Sequence, residues 1–258
     1  KTYKKWKKIS FFSRLIFNKF DICLAQNNET KNYLKKLGAK NIKKLGNLKF
    51  SETSLKNINK INKNTRKFFD SKKILFGAIS THQSEEIFCT KIYLDLKKKY
   101  MNGIIIIIPR HIDRASEIKE EIEKIGLKVH LHSSGRKIDN KTDIYLVDTF
   151  GETKLFLKIC KIVFLGGSLI QHGGQNPLEA ARLGCKVIHG PNITNFLEVY
   201  SLLNKNNISS KIRTISQAKS IVQKNLSNKF SSKKIIKKLN SIGNEVLFKN
   251  QKEINKYI

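Results

Sequence analysis

The chain is short of acids, of proline and of paired cysteines. Asp and Glu number 20 against 51 Lys and Arg in 258 residues, a formal net charge of +31. That imbalance argues against acidic function classes and favours polyanions: nucleic acid, an anionic membrane or an anionic substrate. With only 3 prolines and an abundance of Lys, Asn and Ile, the chain carries the bias expected of an AT-rich genome, so part of the charge reads as composition on solvated faces. Cys23, Cys89, Cys160 and Cys185 form no Cys-x-x-Cys pair. This excludes a zinc site and a disulfide framework, and leaves buried free thiols in a reducing compartment. No apolar run approaches the ~20 residues that span a bilayer. There is no signal-peptide pattern, no internal repeat and no Asp-x-Asp metal motif. The aromatics form no stacking platform and no nucleic-acid-binding motif appears, so no nucleic-acid partner is expected.

What the chain does have is alternation. ILFGAI, IIIII, IYLV and IVFL read as strands, with helix-like segments such as SEEIFCTKIYLDLKKKY between them. Strands alternating with helices predict an α/β fold with a parallel sheet wrapped on both faces. GIIIIIPR has the fully apolar character of a strand buried on both sides. NNETKNYLKKLG reads as a helix closed by Gly38, the polar stretch 51–72 as a linker, and the lysine-rich tail from Thr214 as helical.

The polar residues of interest all follow strand ends, where ligands sit in an open parallel sheet. They are Ser80-Thr81-His82, Arg110-His111, Asp148-Thr149 with Gly151-Glu152, and Gly166-Gly167-Ser168. The last group opens GGSLIQHGGQNPLEAARLG, a glycine-rich loop followed by a helix start. Asn176 fits an N-cap, Pro177 the first helical position, and Glu179 stands three residues after the cap. Glycines let backbone N–H groups approach a ligand, and a helix N-terminus favours negative charge. A phosphate-bearing ligand is therefore expected near Gly173, Gly174 and Asn176. An arginine at a buried strand's end, like Arg110, can grip phosphate through two hydrogen bonds; its structural alternative is a pair with Asp113. Glu179 has two readings, a capping box with Asn176 or an acceptor for ribose hydroxyls. Ser80 and Thr81 fit either helix caps or ligand donors, Glu152 a helix-opening carboxylate, and Asn195 an N-cap before FLEVYSLL.

These motifs resemble one family. Ala25-Gln26, Gly46 to Phe50, Ser80-Thr81-His82 with Glu85-Glu86, Pro109-Arg110-His111, Asp148 to Glu152, the loop with Asn176 to Glu179, and Gly190-Pro191 occur in order. This order is similar to that of the 3-deoxy-D-manno-octulosonic acid (Kdo) transferases of lipopolysaccharide synthesis, glycosyltransferases of the GT-B type. Two departures stand out. Gln175 replaces the family's His, and Ile112 and Asp113 alter the loop after Arg110.

The resemblance implies a GT-B, Rossmann-like fold with most of the N-terminal domain missing. Residues 1–50 would be a remnant of the acceptor domain, 51–72 the linker, 73–240 the nucleotide-sugar-binding domain and 241–258 a helix returning toward the first. It implies transfer of Kdo from CMP-Kdo to the lipid A precursor by metal-free, cofactor-free inverting displacement, at the cytoplasmic face of the bacterial inner membrane. It places the donor on Ser80, Thr81, His82, Arg110, His111, Gly151, Glu152, Gly167, Ser168, Gly173, Gly174, Asn176, Glu179 and Asn195. The family's base is a carboxylate of the N-terminal domain, so no base is assigned and the chain alone is expected to be inactive. Another GT-B transferase or an epimerase using a UDP-sugar is the alternative. The segment 1–20 interleaves Lys and Arg with Trp6, Phe11, Phe12, Leu15, Ile16 and Phe17. It suits either an anionic bilayer surface or packing against the missing domain.

Overall fold

A computed structural model describes residues 2–51, 61–227 and 231–258, and the chain divides into two compact units, 1–54 with 237–258, and 55–236.

The first unit holds helices α1 (Thr2–Lys8) and α2 (Ser10–Phe17), strand β1 (Cys23–Ala25), helix α3 (Asn28–Leu37) and strand β2 (Ile42–Lys44). β1 and β2 pair in parallel across α3. The Asn27 side chain accepts from the Thr30 N–H at 2.7 Å and starts α3. Gly38, at φ 103°, ends it in the left-handed conformation expected of a helix-closing glycine. Phe11, Phe12 and Leu15 of α2 remain more than half exposed.

The second unit opens with α4 (Lys63–Asp70), which corrects the reading of 51–72 as linker. Residues 52–60 lie outside the described residues. The helix was hidden by its polar surface, but Phe68 and Phe69 at its end are buried against the sheet.

The remaining elements run β3 (Lys73–Thr81), α5 (Glu85–Lys97), β4 (Gly103–Pro109), α6 (Ala115–Glu123), β5 (Val129–Leu131), β6 (Ile144–Leu146), α7 (Thr153–Leu157), β7 (Ile162–Leu165), α8 (Leu178–Arg182), β8 (Lys186–His189), α9 (Leu197–Lys205), β9 (Ser209–Lys211), α10 (Ile215–Ser227) and α11 (Ser232–Ile254), the last crossing the boundary between units.

Seven strands form one all-parallel sheet in the order β5-β6-β4-β3-β7-β8-β9. The run IIIII in β4 shows why both faces are covered. Ile105 and Ile107 point into one core with α5, α6 and α10, while Ile104, Ile106 and Ile108 point into the other with α4 and α7. From β3 the chain builds outward through β4 in one direction and through β7 and β8 in the other. The strand order therefore reverses between β3 and β7, where an open α/β sheet leaves its ligand crevice.

The ends of these two strands approach closely. A Cβ on Gly166 would stand 2.2 Å from the Ser80 carbonyl oxygen and 2.6 Å from Thr81 Cα. Neither backbone can move without breaking the sheet, so Gly166→Ala is expected to cost about 1–3 kcal/mol of stability as overpacking. Urea unfolding measures this, and an unchanged midpoint would show that the strand ends yield.

Candidate functional site

The crevice between β3 and β7 is organised by a carboxylate that appears in the sequence motifs without a role assigned to it. Glu85, the first residue of α5, is fully buried. One oxygen accepts from the N–H groups of His82 (3.0 Å) and Gly167 (2.7 Å), and the other from those of Ser168 (3.1 Å) and Leu169 (2.9 Å). Four backbone donors replace the water that an ionised carboxylate loses on burial.

This corrects two expectations. The N–H groups of Gly167 and Ser168 are taken by Glu85 and are not turned to a ligand. Ser168 is itself buried, with its hydroxyl donating to the Leu165 carbonyl and accepting from the Gly190 N–H. Thr81 is likewise fully buried rather than open to solvent. Gly173 and Gly174, at φ 95° and 76°, pack against the 192–195 segment: a Cβ on Gly173 would meet the Asn195 side chain at 2.4 Å, and one on Gly174 the Asn192 carbonyl at 3.1 Å. Asn195 does not cap α9; its amide donates to the His172 carbonyl at 3.2 Å.

Several predicted residues do meet. Ser80, Gln175, Asn176 and Glu179 line one cavity of about 230 Å³, with Thr153 beside them. Ser80 sits at φ 53°, a left-handed conformation that a serine adopts at a cost. The Asn176 side chain accepts from the Leu178 N–H at 3.1 Å, but the N-cap position of α8, a helix of only five residues, falls to Pro177 and not to Asn176 as expected. Glu179 does not close a capping box: its half-exposed carboxylate reaches Lys154 Nζ at 3.3 Å.

Next to the cavity, His82, His111 and His172 cluster near Arg110. Gln175 Nε2 lies 3.4 Å from His82 Nε2, and the His82 ring is 4.3 Å from that of His172 and 5.8 Å from that of His111. Burial, then His172, His111, Arg110 and Arg114, push His82 down to about 4. The two arginines differ. Arg114 is bound to the buried Glu86 at 3.1 Å and to Glu117 at 3.4 Å. Burial raises the Glu86 pKa, and the Arg114 charge opposes that rise. Arg110 is exposed and pairs with no acid among the described residues, Asp113 included.

Glu152 precedes α7 and is held by the Thr149 hydroxyl and by His132 Nε2 at 3.0 Å, while the other nitrogen of His132 meets the Tyr145 hydroxyl at 2.5 Å. Gly151, at φ 84°, makes the turn before it. A larger cleft of about 1140 Å³, lined by Asn62, Lys67, Arg136, His132 and Tyr145 among others, lies along α4. Size alone would favour it, but it holds none of the residues from the ends of β3, β4 and β7. Among the described residues no cluster of His, Cys, Asp and Glu is arranged to hold a metal.

Residues 1–52 match the family model described as 3-deoxy-D-manno-octulosonic-acid transferase. The 3-deoxy-D-manno-octulosonic acid transferase of Rickettsia bellii is 34% identical over 200 residues, 77% of this chain and 47% of that protein. The chain belongs to the Kdo transferase family. The enzyme of the same name from Haemophilus influenzae aligns over 96% of this chain at 26% identity and 58% of its own length. The chain thus spans about half the length of the curated relatives it matches. In fold it is similar to the C-terminal CMP-Kdo binding domain of WaaA from Acinetobacter baumannii, with a TM-score of 0.62, 24% identity, and coverage of 71% of this chain and 94% of that one. The family's fold is GT-B, as the motifs implied.

The His82 environment has a consequence for pH. Between pH 6.5 and about 4 the unfolded histidine takes a proton that the folded one resists. The stability this group contributes is complete above pH 6.5 and is lost as pH falls toward 4. Denaturant unfolding at stepped pH is expected to show a shallower acid loss for His82→Gln than for the native chain. Identical slopes would place His82 in water, not in this cluster.

Proposed function

We propose that the second unit binds CMP-Kdo in the crevice between β3 and β7, and that the chain serves a Kdo transferase acting on the lipid A precursor. The observation that carries this reading is the pair of unlike arginines: Arg114 is spent on Glu86, whereas Arg110 stands uncompensated at a strand end beside three histidines. Inverting displacement of CMP develops negative charge on the leaving phosphate, and a fixed cation at that point stabilises it more than the ground state. Glu179 and Asn176, across the adjacent cavity, suit the ribose, with Lys154 holding the Glu179 carboxylate in place.

Unit one supports an anionic membrane surface as a further partner. The exposed Phe11, Phe12 and Leu15 of α2 follow Lys4, Lys5, Lys7 and Lys8 of α1 in the chain and flank Arg14, a basic-apolar segment of the kind that settles at a lipid interface. No helix among the described residues is long and apolar enough to cross a membrane.

Calorimetry tests the donor assignment. CMP is expected to bind more tightly than UMP or ADP, with EDTA making no difference. Arg110→Ala should weaken CMP by roughly 10- to 100-fold, the worth of a charge-assisted bond, and Arg114→Ala should act mainly on stability. Glu179→Gln should weaken CMP with stability unchanged. Equal affinity for the three nucleotides, or binding abolished by EDTA, would contradict the CMP reading.

A further inference from the structure

Glu85 is a fully buried acid with no cation against it among the described residues; its partners are the four backbone N–H groups of His82, Gly167, Ser168 and Leu169. A turn that presents successive N–H groups to one point is an anion-binding concavity. Here the anion is supplied by the chain itself, from a helix 82 residues away in sequence.

The residues that Glu85 binds carry the site onward. The Gly167 carbonyl accepts from the Gly174 N–H at 2.8 Å, directly before Gln175 and Asn176. The Ser168 carbonyl accepts from the Asn192 N–H at 2.9 Å, and the Leu169 carbonyl from the Asn192 side chain at 3.1 Å. On the other side, the His82 N–H is fixed by the same carboxylate. One group therefore sets the position of the cavity wall and of the histidine at the centre of the histidine cluster.

We propose that Glu85 is a positioning residue for the donor: its carboxylate occupies the anion concavity formed by Gly167, Ser168 and Leu169 after β7, so that the phosphate is met by Arg110 and not by those three amides. This rests on the donor reading above. Glu85→Gln keeps the size but presents an NH2 group to two of the four N–H donors. Glu85→Ala empties a space of carboxylate size lined by N–H groups.

The test is CMP affinity of the 258-residue chain, with folding checked by circular dichroism. Glu85→Gln is expected to fold and to bind CMP at least about tenfold more weakly, on the scale of hydrogen bonds to a charged group. Glu85→Ala should be similarly weak and should recover in formate but not in neutral formamide, which a merely structural role would not produce. If the Ala variant does not fold, the Gln variant decides. A Gln variant that binds like the native chain, or a folded Ala variant indifferent to formate, overturns the positioning role while leaving the donor reading intact. A native chain that fails to bind CMP overturns the donor reading first, and the positioning role with it.

Discussion

The second unit depends on one buried carboxylate, that of Glu85. The Glu85 carboxylate lies at the switch point of the sheet, between the ends of the adjacent parallel strands β3 and β7. A buried charge costs several kcal/mol unless its hydrogen-bonding capacity is met. The backbone turn after β7 meets it with three amides and the turn after β3 with one. Because those amides belong to adjacent residues, the bonds specify a backbone shape as well as supply stability. Gly166 allows the close approach that brings both turns to the same carboxylate.

This arrangement separates two tasks that a glycine-rich loop is usually asked to combine. The amides of Gly167, Ser168 and Leu169 are closed off by an internal carboxylate, and the positive potential in front of them comes from Arg110. Burial keeps His82 neutral near pH 7, so the positive charge of the site resides in the Arg110 guanidinium. Arg114, in the same segment, neutralises Glu86 and is withdrawn from the crevice. Two arginines four residues apart thus do unlike work because one faces a buried carboxylate and the other faces solvent.

Most of the architecture was legible in the residues, because it rests on local pattern. The five isoleucines of β4 could only be a strand covered on both faces, and Asn27 and Gly38 bracket α3 by chemistry confined to a few residues. The clustering of Ser80, Asn176 and Glu179 followed from their positions after strands of a parallel sheet. What the residues did not disclose depends on contacts between distant segments. Glu85 was visible only as part of a motif, since its four partners lie in two loops. The use of Gly173 and Gly174 for packing against 192–195, the Glu179–Lys154 pair and the His132 link from Tyr145 to Glu152 are equally non-local. Helix α4 was missed for a different reason: its buried residues are Thr65, Phe68 and Phe69, with the only two apolar ones at the end of a polar stretch.

The central claim is that the nucleotide sits at the strand ends organised by Glu85. Amide chemical-shift mapping during a CMP titration tests it most directly. The account predicts the largest shifts at Ser80, His82, Arg110, His111, Gln175, Asn176 and Glu179. Shifts centred on Asn62, Thr65, Arg136 and Tyr145, the lining of the larger cleft along α4, would contradict it.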